Sequence, residues 1–130
     1  MRFCIIFLLF SLCTVVACNK KTETPAATAP SVSLISPAAD DNFANDLVIK
    51  INGEAADAEG LHTLSIKITD DKTKATLFSQ SPDVLNSKKY AFNASWTAKV
   101  TDWVDATVTV TAANHSGVET VKTVKIKIWL

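Results

Sequence analysis

From residue 32 to residue 130 the sequence alternates apolar and polar residues in short runs, and this pattern constrains the fold more than any other feature. In the clearest run, Leu64, Ile66 and Ile68 are separated by Ser65 and Lys67. Successive side chains of a β-strand point to opposite faces, so each run predicts a strand with one buried and one solvated face, and such strands are typically antiparallel. The runs predict seven strands over residues 32–36, 46–55, 61–70, 75–79, 89–96, 105–113 and 118–129.

Turn-forming residues separate these runs. Residues 56–60, 70–74 and 114–117 are rich in Asp, Asn and Gly, which tolerate tight or left-handed backbone. Seven short strands in about a hundred residues are typical of an immunoglobulin-like sandwich, in which two sheets bury their apolar faces against each other. We therefore predict that residues 31–130 form one all-β domain, a seven-stranded antiparallel sandwich. A small closed barrel is the alternative architecture.

The first seventeen residues have the features of an export signal. Arg2 supplies a positive charge, and the apolar stretch that ends at Val16 is about thirteen residues long, short of the roughly twenty that a membrane-spanning helix needs. This length favours a cleaved signal over a retained transmembrane anchor. Val15-Val16-Ala17-Cys18 resembles the lipobox of bacterial lipoproteins. The resemblance implies cleavage between Ala17 and Cys18, and acyl chains such as palmitate on the sulfur and amine of Cys18.

The segment after Cys18 differs in composition from the rest of the chain. Up to Pro30 it consists mainly of Lys, Thr, Ala and Pro and contains nothing large to bury. We interpret residues 18–30 as the lipidated cysteine and a flexible tether. Cys4 and Cys13 belong to the signal and Cys18 to the lipid, so the domain is expected to have no disulfide and no cysteine-based metal site.

The charge of the predicted mature chain argues against nucleic-acid binding. Loss of Arg2 leaves twelve lysines against thirteen acidic residues, hence a net charge of −1 and no arginine. Nucleic-acid recognition relies on clustered basic residues, with Arg favoured for reading bases. We expect no nucleic-acid partner.

Several core and turn residues resemble the immunoglobulin-like domains of exported bacterial proteins, many of them small lipoproteins of Bacteroidota. They are Pro37 after the first strand, the Gly53 to Gly60 spacing before Leu61, Trp96 at the end of a strand, and residues 110–117. Asn114 stands where such domains usually carry an acidic residue. The resemblance covers the whole mature domain, but turn and core residues specify fold better than function.

The sequence contains no recognisable catalytic arrangement. His62 and His115 are the only histidines, and no nucleophile-elbow, zinc-protease or phosphate-loop motif is present. We interpret both histidines as surface residues rather than as a base or metal ligands. The expectation is a protein that is not an enzyme.

The predicted topology gathers acidic residues at one end of the sandwich. The tether enters the first strand at the opposite end, so this acidic end is expected to face away from the membrane. Carboxylates on loops are common Ca²⁺ ligands. Lys72, Lys74 and Lys99 lie on the same loops and can offset the charge of these carboxylates, which favours solvated turn residues over a metal site. No cofactor is expected beyond this candidate Ca²⁺ site. The carboxylates are those of Asp40, Asp41, Asp46, Asp70, Asp71, Asp102 and Asp105.

Two tryptophans are candidate contact residues. Trp103 lies in the loop between the fifth and sixth predicted strands, and Trp129 falls at an outward-facing position near the end of the last strand. Exposed aromatic rings contact sugars and protein partners. The alternatives are that Trp103 folds over the sheet edge and that Trp129 is buried. Trp96 is expected to belong to the core.

These features predict a lipid-anchored module of a Gram-negative envelope that binds a protein partner. The alternative is a glycan-binding lipoprotein of a polysaccharide uptake system, since similar lipoproteins accompany such systems. Asn19, in place of Asp after the lipidated cysteine, indicates the outer membrane by analogy with lipoprotein sorting in other bacteria. The domain is then either periplasm-facing or displayed on the cell surface.

Overall fold

The computed structural model describes residues 26–130, which form eight β-strands and no helix. The predicted signal segment and Cys18 lie outside these residues. Nothing among residues 26–130 forms a helix with the length and apolarity to span a membrane. The strands are β1 (Ser31–Ser36), β2 (Asp41–Ala44), β3 (Val48–Ala56), β4 (Leu61–Asp70), β5 (Thr76–Gln80), β6 (Lys89–Thr97), β7 (Val104–Asn114) and β8 (Glu119–Trp129).

The strands form two sheets, one of order β1-β3-β6 and one of order β2-β8-β7-β4-β5. Strands β2 and β8 are parallel, whereas the other pairs are antiparallel. The apolar faces of the two sheets share one core. The predicted all-β sandwich is confirmed.

The core consists of the inward positions of the alternating runs. Residue pairs such as Ile49 and Ile51 on β3, or Ile66 and Ile68 on β4, are completely buried. Burying one such side chain stabilises a protein by about 1.5–3 kcal/mol. The described residues contain no cysteine, so this burial and the strand hydrogen bonds hold the domain together without a disulfide.

Three details of the predicted fold are wrong. The number of strands is eight, because Asp41–Ala44 forms β2, and β2 pairs in parallel with β8, so the sandwich is not wholly antiparallel. Strand β2 has four residues, and Phe43 is its only large apolar residue, so the sequence shows no alternation there. The barrel alternative is also wrong, because no strand pairing joins the two sheets.

The connections gather at two ends of the sandwich. The proximal pole, where β1 begins, carries the connections of residues 57–60, 81–88 and 115–118. The distal pole carries residues 37–40, 45–47, 71–75 and 98–103. The carbonyl of Thr28 accepts a hydrogen bond from Asn114 Nδ2 (2.8 Å), and that of Pro30 accepts one from the Thr120 hydroxyl (2.6 Å). The end of the predicted tether is therefore fixed to the proximal pole.

Candidate functional site

The loops of the distal pole are fixed to one another by backbone hydrogen bonds. The amide of Asp46 donates to the carbonyl of Ala98, and the amide of Asp71 donates to the carbonyl of Asp105, each at 2.9 Å. The first bond joins the β2–β3 connection to the β6–β7 connection, and the second fixes the β4–β5 connection to the start of β7. Their side chains therefore form a defined surface.

Asp71 and Asp105 lie between two depressions of this surface. Trp103 lies on the larger depression, of about 570 Å³, with Asp70 and Asp102. The smaller depression, of about 380 Å³, includes Asp40. The structure thus brings five of the seven predicted carboxylates together: Asp40, Asp70, Asp71, Asp102 and Asp105. The other two are engaged elsewhere, Asp41 with the amide of Ala38 (2.8 Å) and Asp46 with Lys99.

Several of these carboxylates cap their own turns. Asp70 Oδ1 accepts hydrogen bonds from the amides of Lys72 (2.7 Å) and Thr73 (3.0 Å), and Asp102 Oδ1 accepts one from the amide of Trp103 (2.8 Å). Within residues 26–130, no three His, Cys, Asp or Glu side chains are placed to hold a metal ion together. The candidate Ca²⁺ site stays a prediction, and the carboxylates of Asp41, Asp70 and Asp102 stabilise turns.

Two of the carboxylates have lowered pKa values. The amide and hydroxyl of Thr73 lower the pKa of Asp70. The hydroxyl of Thr107, which donates to Asp71 Oδ1 at 2.5 Å, lowers the pKa of Asp71, and Lys125, at 3.3 Å from Asp71 Oδ2, adds to this effect. Because these partners favour the ionised form, Asp71 links β4 to β7 and β8 as a carboxylate.

We expect Asp71→Asn to lower the free energy of unfolding at neutral pH, with a deficit that disappears in acid. A lowered folded-state pKa contributes stability above the unfolded value of about 3.9, and this contribution is lost as pH falls through the folded-state pKa. Urea unfolding of both proteins between pH 7 and pH 2.5 measures the difference. Asp105→Asn, which removes a carboxylate outside the bond with Thr107, is the control. A deficit that stays constant with pH contradicts the expectation.

The two candidate tryptophans lie at one corner of the distal pole. Trp103 is 74% exposed and Trp129 is 43% exposed. Val104 pairs with Ile128 at the end of the β7–β8 ladder, and Trp103 and Trp129 are the next residues beyond this pair on their respective chain segments. Trp103 also shares a small depression with Lys127 and Ile128. The sequence alone does not indicate that these tryptophans are close, since their proximity depends on the register between β7 and β8.

Other residues differ in how far the sequence identified them. Trp96 is half-buried and packs against the core, as expected. Leu77, which no sequence pattern marks as a site residue, lines the larger depression with Trp103. It lies where the β4–β5 register shifts between the pairs Ile68↔Phe78 and Thr69↔Thr76. No sequence signal marks this irregularity.

The fold places the domain in the immunoglobulin-like class of β-sandwiches. No protein-family model matches the chain, and no curated protein is significantly similar to it in sequence. The chain is similar in structure to the fibronectin(III)-like modules of CbhA from Clostridium thermocellum, at 16% identity and a TM-score of 0.49 over 78% of this chain and 46% of that one. It is also similar to CopC from Methylosinus trichosporium OB3b, at 15% identity and a TM-score of 0.47 over 76% of this chain and 94% of that one. The chain therefore spans less than half of the CbhA structure.

Proposed function

We propose that this protein is a non-enzymatic, lipid-anchored envelope module that binds a protein partner through its distal pole. The observation that carries this proposal is the exposure of Trp103 and Trp129, each one position beyond the Val104↔Ile128 pair that ends the β7–β8 ladder. Tryptophan is enriched among the residues that contribute most to protein–protein affinity, and such residues are typically surrounded by a polar rim. Here Lys99, Asp102 and Lys127 supply polar groups around the indole of Trp103.

The orientation of the domain supports this function. The lipobox resemblance places the lipid on Cys18, and the chain enters the sandwich at the proximal pole, where Asn114 holds Thr28. The nine residues from 19 to 27 span at most about 30 Å. An anchor at Cys18 therefore keeps the domain near the bilayer with the tryptophans on its far side. Asn19 favours the outer membrane.

The same two tryptophans support a second candidate function, glycan binding. Indole rings stack against the apolar faces of sugar rings, and neighbouring acidic groups accept hydrogen bonds from sugar hydroxyls. Asp102 and Asp105 line the depression beside Trp103. An accessory lipoprotein of a polysaccharide uptake system is expected to use such a surface.

The test is affinity capture of the full-length, natively anchored protein from membranes in mild detergent. We expect a stoichiometric envelope protein to be captured by the wild type and lost from the double variant Trp103→Ala/Trp129→Ala. Val121→Ala removes another exposed apolar side chain of β8, 55% exposed and remote from the distal pole, and should retain the partner. Cys18→Ala should leave the membrane fraction, because it removes the attachment atom.

The outcomes separate the two functions. A partner whose capture depends on the tryptophans supports the protein-binding proposal. Retention of every partner by the double variant contradicts it. If the wild type captures no protein but binds polysaccharide on a glycan array, and the double variant does not, glycan binding is the function of this surface.

A further inference from the structure

The two histidines of the chain come together at the proximal pole, remote from the tryptophans. The ring centroids of His62 and His115 are 4.9 Å apart, with an angle of 52° between the ring planes. Both side chains are exposed. The sequence predicts that both are surface residues, but it does not indicate that they are neighbours, because 52 positions lie between them.

A β-bulge lies at the position of His62. On β4 and β7, Leu61 pairs with Asn114 and Thr63 pairs with Ala113, so His62 is an extra residue without a partner across the ladder. Bulges change the direction of a side chain and occur frequently next to functional sites. The other histidine, His115, immediately follows Asn114. The bulge therefore lies beside the turn that carries His115.

The imidazole of His115 has a positioned hydrogen-bond partner. Its Nε2 lies 2.9 Å from Asn86 Oδ1. Asn86 has left-handed backbone (φ 64°), and its amide donates to the carbonyl of Leu61 at 2.8 Å. The backbone of Asn86 also lies against Gly60, where an added Cβ would be only 3.2 Å away. Asn86 is thus fixed by the residues that precede His62, and it fixes His115 in turn.

This arrangement has the chemistry of a metal site. An imidazole that donates its Nε2 hydrogen to an amide oxygen keeps the lone pair on Nδ1, and metal-binding histidines usually have such a partner on the other ring nitrogen. Imidazole suits Cu²⁺, Ni²⁺ and Zn²⁺, whereas oxygen ligands suit Ca²⁺. Nitrogen atoms of two rings bound to one ion at about 2.0–2.1 Å are roughly 3 Å apart, a separation available to neighbouring imidazoles after small side-chain rotations.

We propose that His62 and His115 bind one divalent late first-row transition-metal ion, and that Asn86 positions His115. Cu²⁺ is the ion held most tightly, because affinity for nitrogen ligands rises to copper along this series and falls again at zinc. No third His, Cys, Asp or Glu of residues 26–130 completes the ligand set. Water or a ligand from another molecule fills the remaining coordination positions.

The experiment is titration of the natively processed, lipid-anchored protein, without a polyhistidine tag and in mild detergent, with Cu²⁺ and then with Zn²⁺. We expect one site per chain, with Cu²⁺ bound more tightly than Zn²⁺. His62→Asn and His115→Asn should each weaken Cu²⁺ binding by about tenfold or more, and Asn86→Ala by about tenfold. The matched control is the double variant His62→Thr/Thr63→His, which keeps the composition but moves the imidazole to the next position of β4. It should bind as weakly as His62→Asn.

Electron paramagnetic resonance of the Cu²⁺-loaded wild type provides a second measurement that needs no variant. Two equatorial imidazole nitrogens are expected in the hyperfine pattern, with one remaining after His62→Asn. Unaltered thermal unfolding of the metal-free His62→Asn and His115→Asn variants shows that the loss is local. The proposal is overturned if fewer than two nitrogens are bound to Cu²⁺ in the wild type. It is also overturned if His62→Asn and the swapped variant bind Cu²⁺ as tightly as the wild type does.

Discussion

Gly53→Ala is expected to destabilise the domain by about 3 kcal/mol or more, a large part of the 5–15 kcal/mol typical of a native protein. Gly53 is buried on β3 and pairs with Leu34 on one side and Phe92 on the other. A Cβ at this position would overlap the backbone carbonyl of Ser33 and the ring of Phe92. The carbonyl belongs to the neighbouring strand and cannot move without breaking the ladder. The loss of stability is therefore steric, and no small movement of the neighbouring atoms relieves the overlap.

Thermal unfolding of the purified protein measures this effect, since 3 kcal/mol lowers Tm by more than about 12 °C in a domain of this size. Gly117→Ala is the matched control, because Gly117 has left-handed backbone (φ 75°) but no atom within 4 Å of an added Cβ. The free energy of unfolding of Gly117→Ala should fall by only the roughly 1 kcal/mol associated with that backbone conformation. Equal losses at the two glycines contradict the expected overlap at Gly53.

Asn114→Ala is expected to lower the free energy of unfolding by about 2–3 kcal/mol and to release the end of the tether. Asn114 is 3% exposed, and its Nδ2 donates to the carbonyl of Thr28 and to Asp57 Oδ2 (3.3 Å). Its Oδ1 accepts from the amides of Ser116 (3.1 Å) and Val118 (3.0 Å). Alanine removes all four bonds and leaves the buried carboxylate of Asp57 without its side-chain donor.

Urea unfolding measures the stability, and the rate of proteolytic trimming before residue 30 measures release of the tether. Asn93→Ala, at an exposed position of β6, is the control and should change neither. Asn114→Asp tests the contact with Asp57. A second carboxylate keeps the acceptor for Ser116 and Val118 but faces Asp57 with like charge, so it should also destabilise the domain at neutral pH. Wild-type stability in both Asn114 variants contradicts this interpretation.

The sequence predicted the regular part of the sandwich well because alternation directly reflects burial. The predicted strand over residues 61–70 coincides with β4, and the run from Leu64 to Ile68 has the expected inward positions. The ends of the other predicted strands fall within two residues of those observed. These boundaries follow from turn residues and apolar spacing, which are local properties of the chain.

The features that the sequence did not predict depend on contacts between distant segments. Strand β2 exists because Phe43 and its neighbours pair with the end of β8, more than eighty positions away. The proximity of the histidines requires the bulge at His62, and that of Trp103 and Trp129 requires the β7–β8 register. The buried Asp57–Asn114 contact joins two turns that look like ordinary surface turns in the sequence. Local periodicity contains no information about such pairings.

The entry of the chain at one pole and the tryptophans at the other have a mechanical consequence. A pull between residue 26 and the distal pole runs along the axis of β1. The hydrogen bonds that join β1 to β3, from Ser31↔Ala56 to Ser36↔Asn52, lie across that axis. They are therefore loaded together in shear instead of being opened one at a time. A module held at its base and pulled at its tip by a bound partner resists unfolding along this direction more strongly than along the direction of its strand-to-strand bonds.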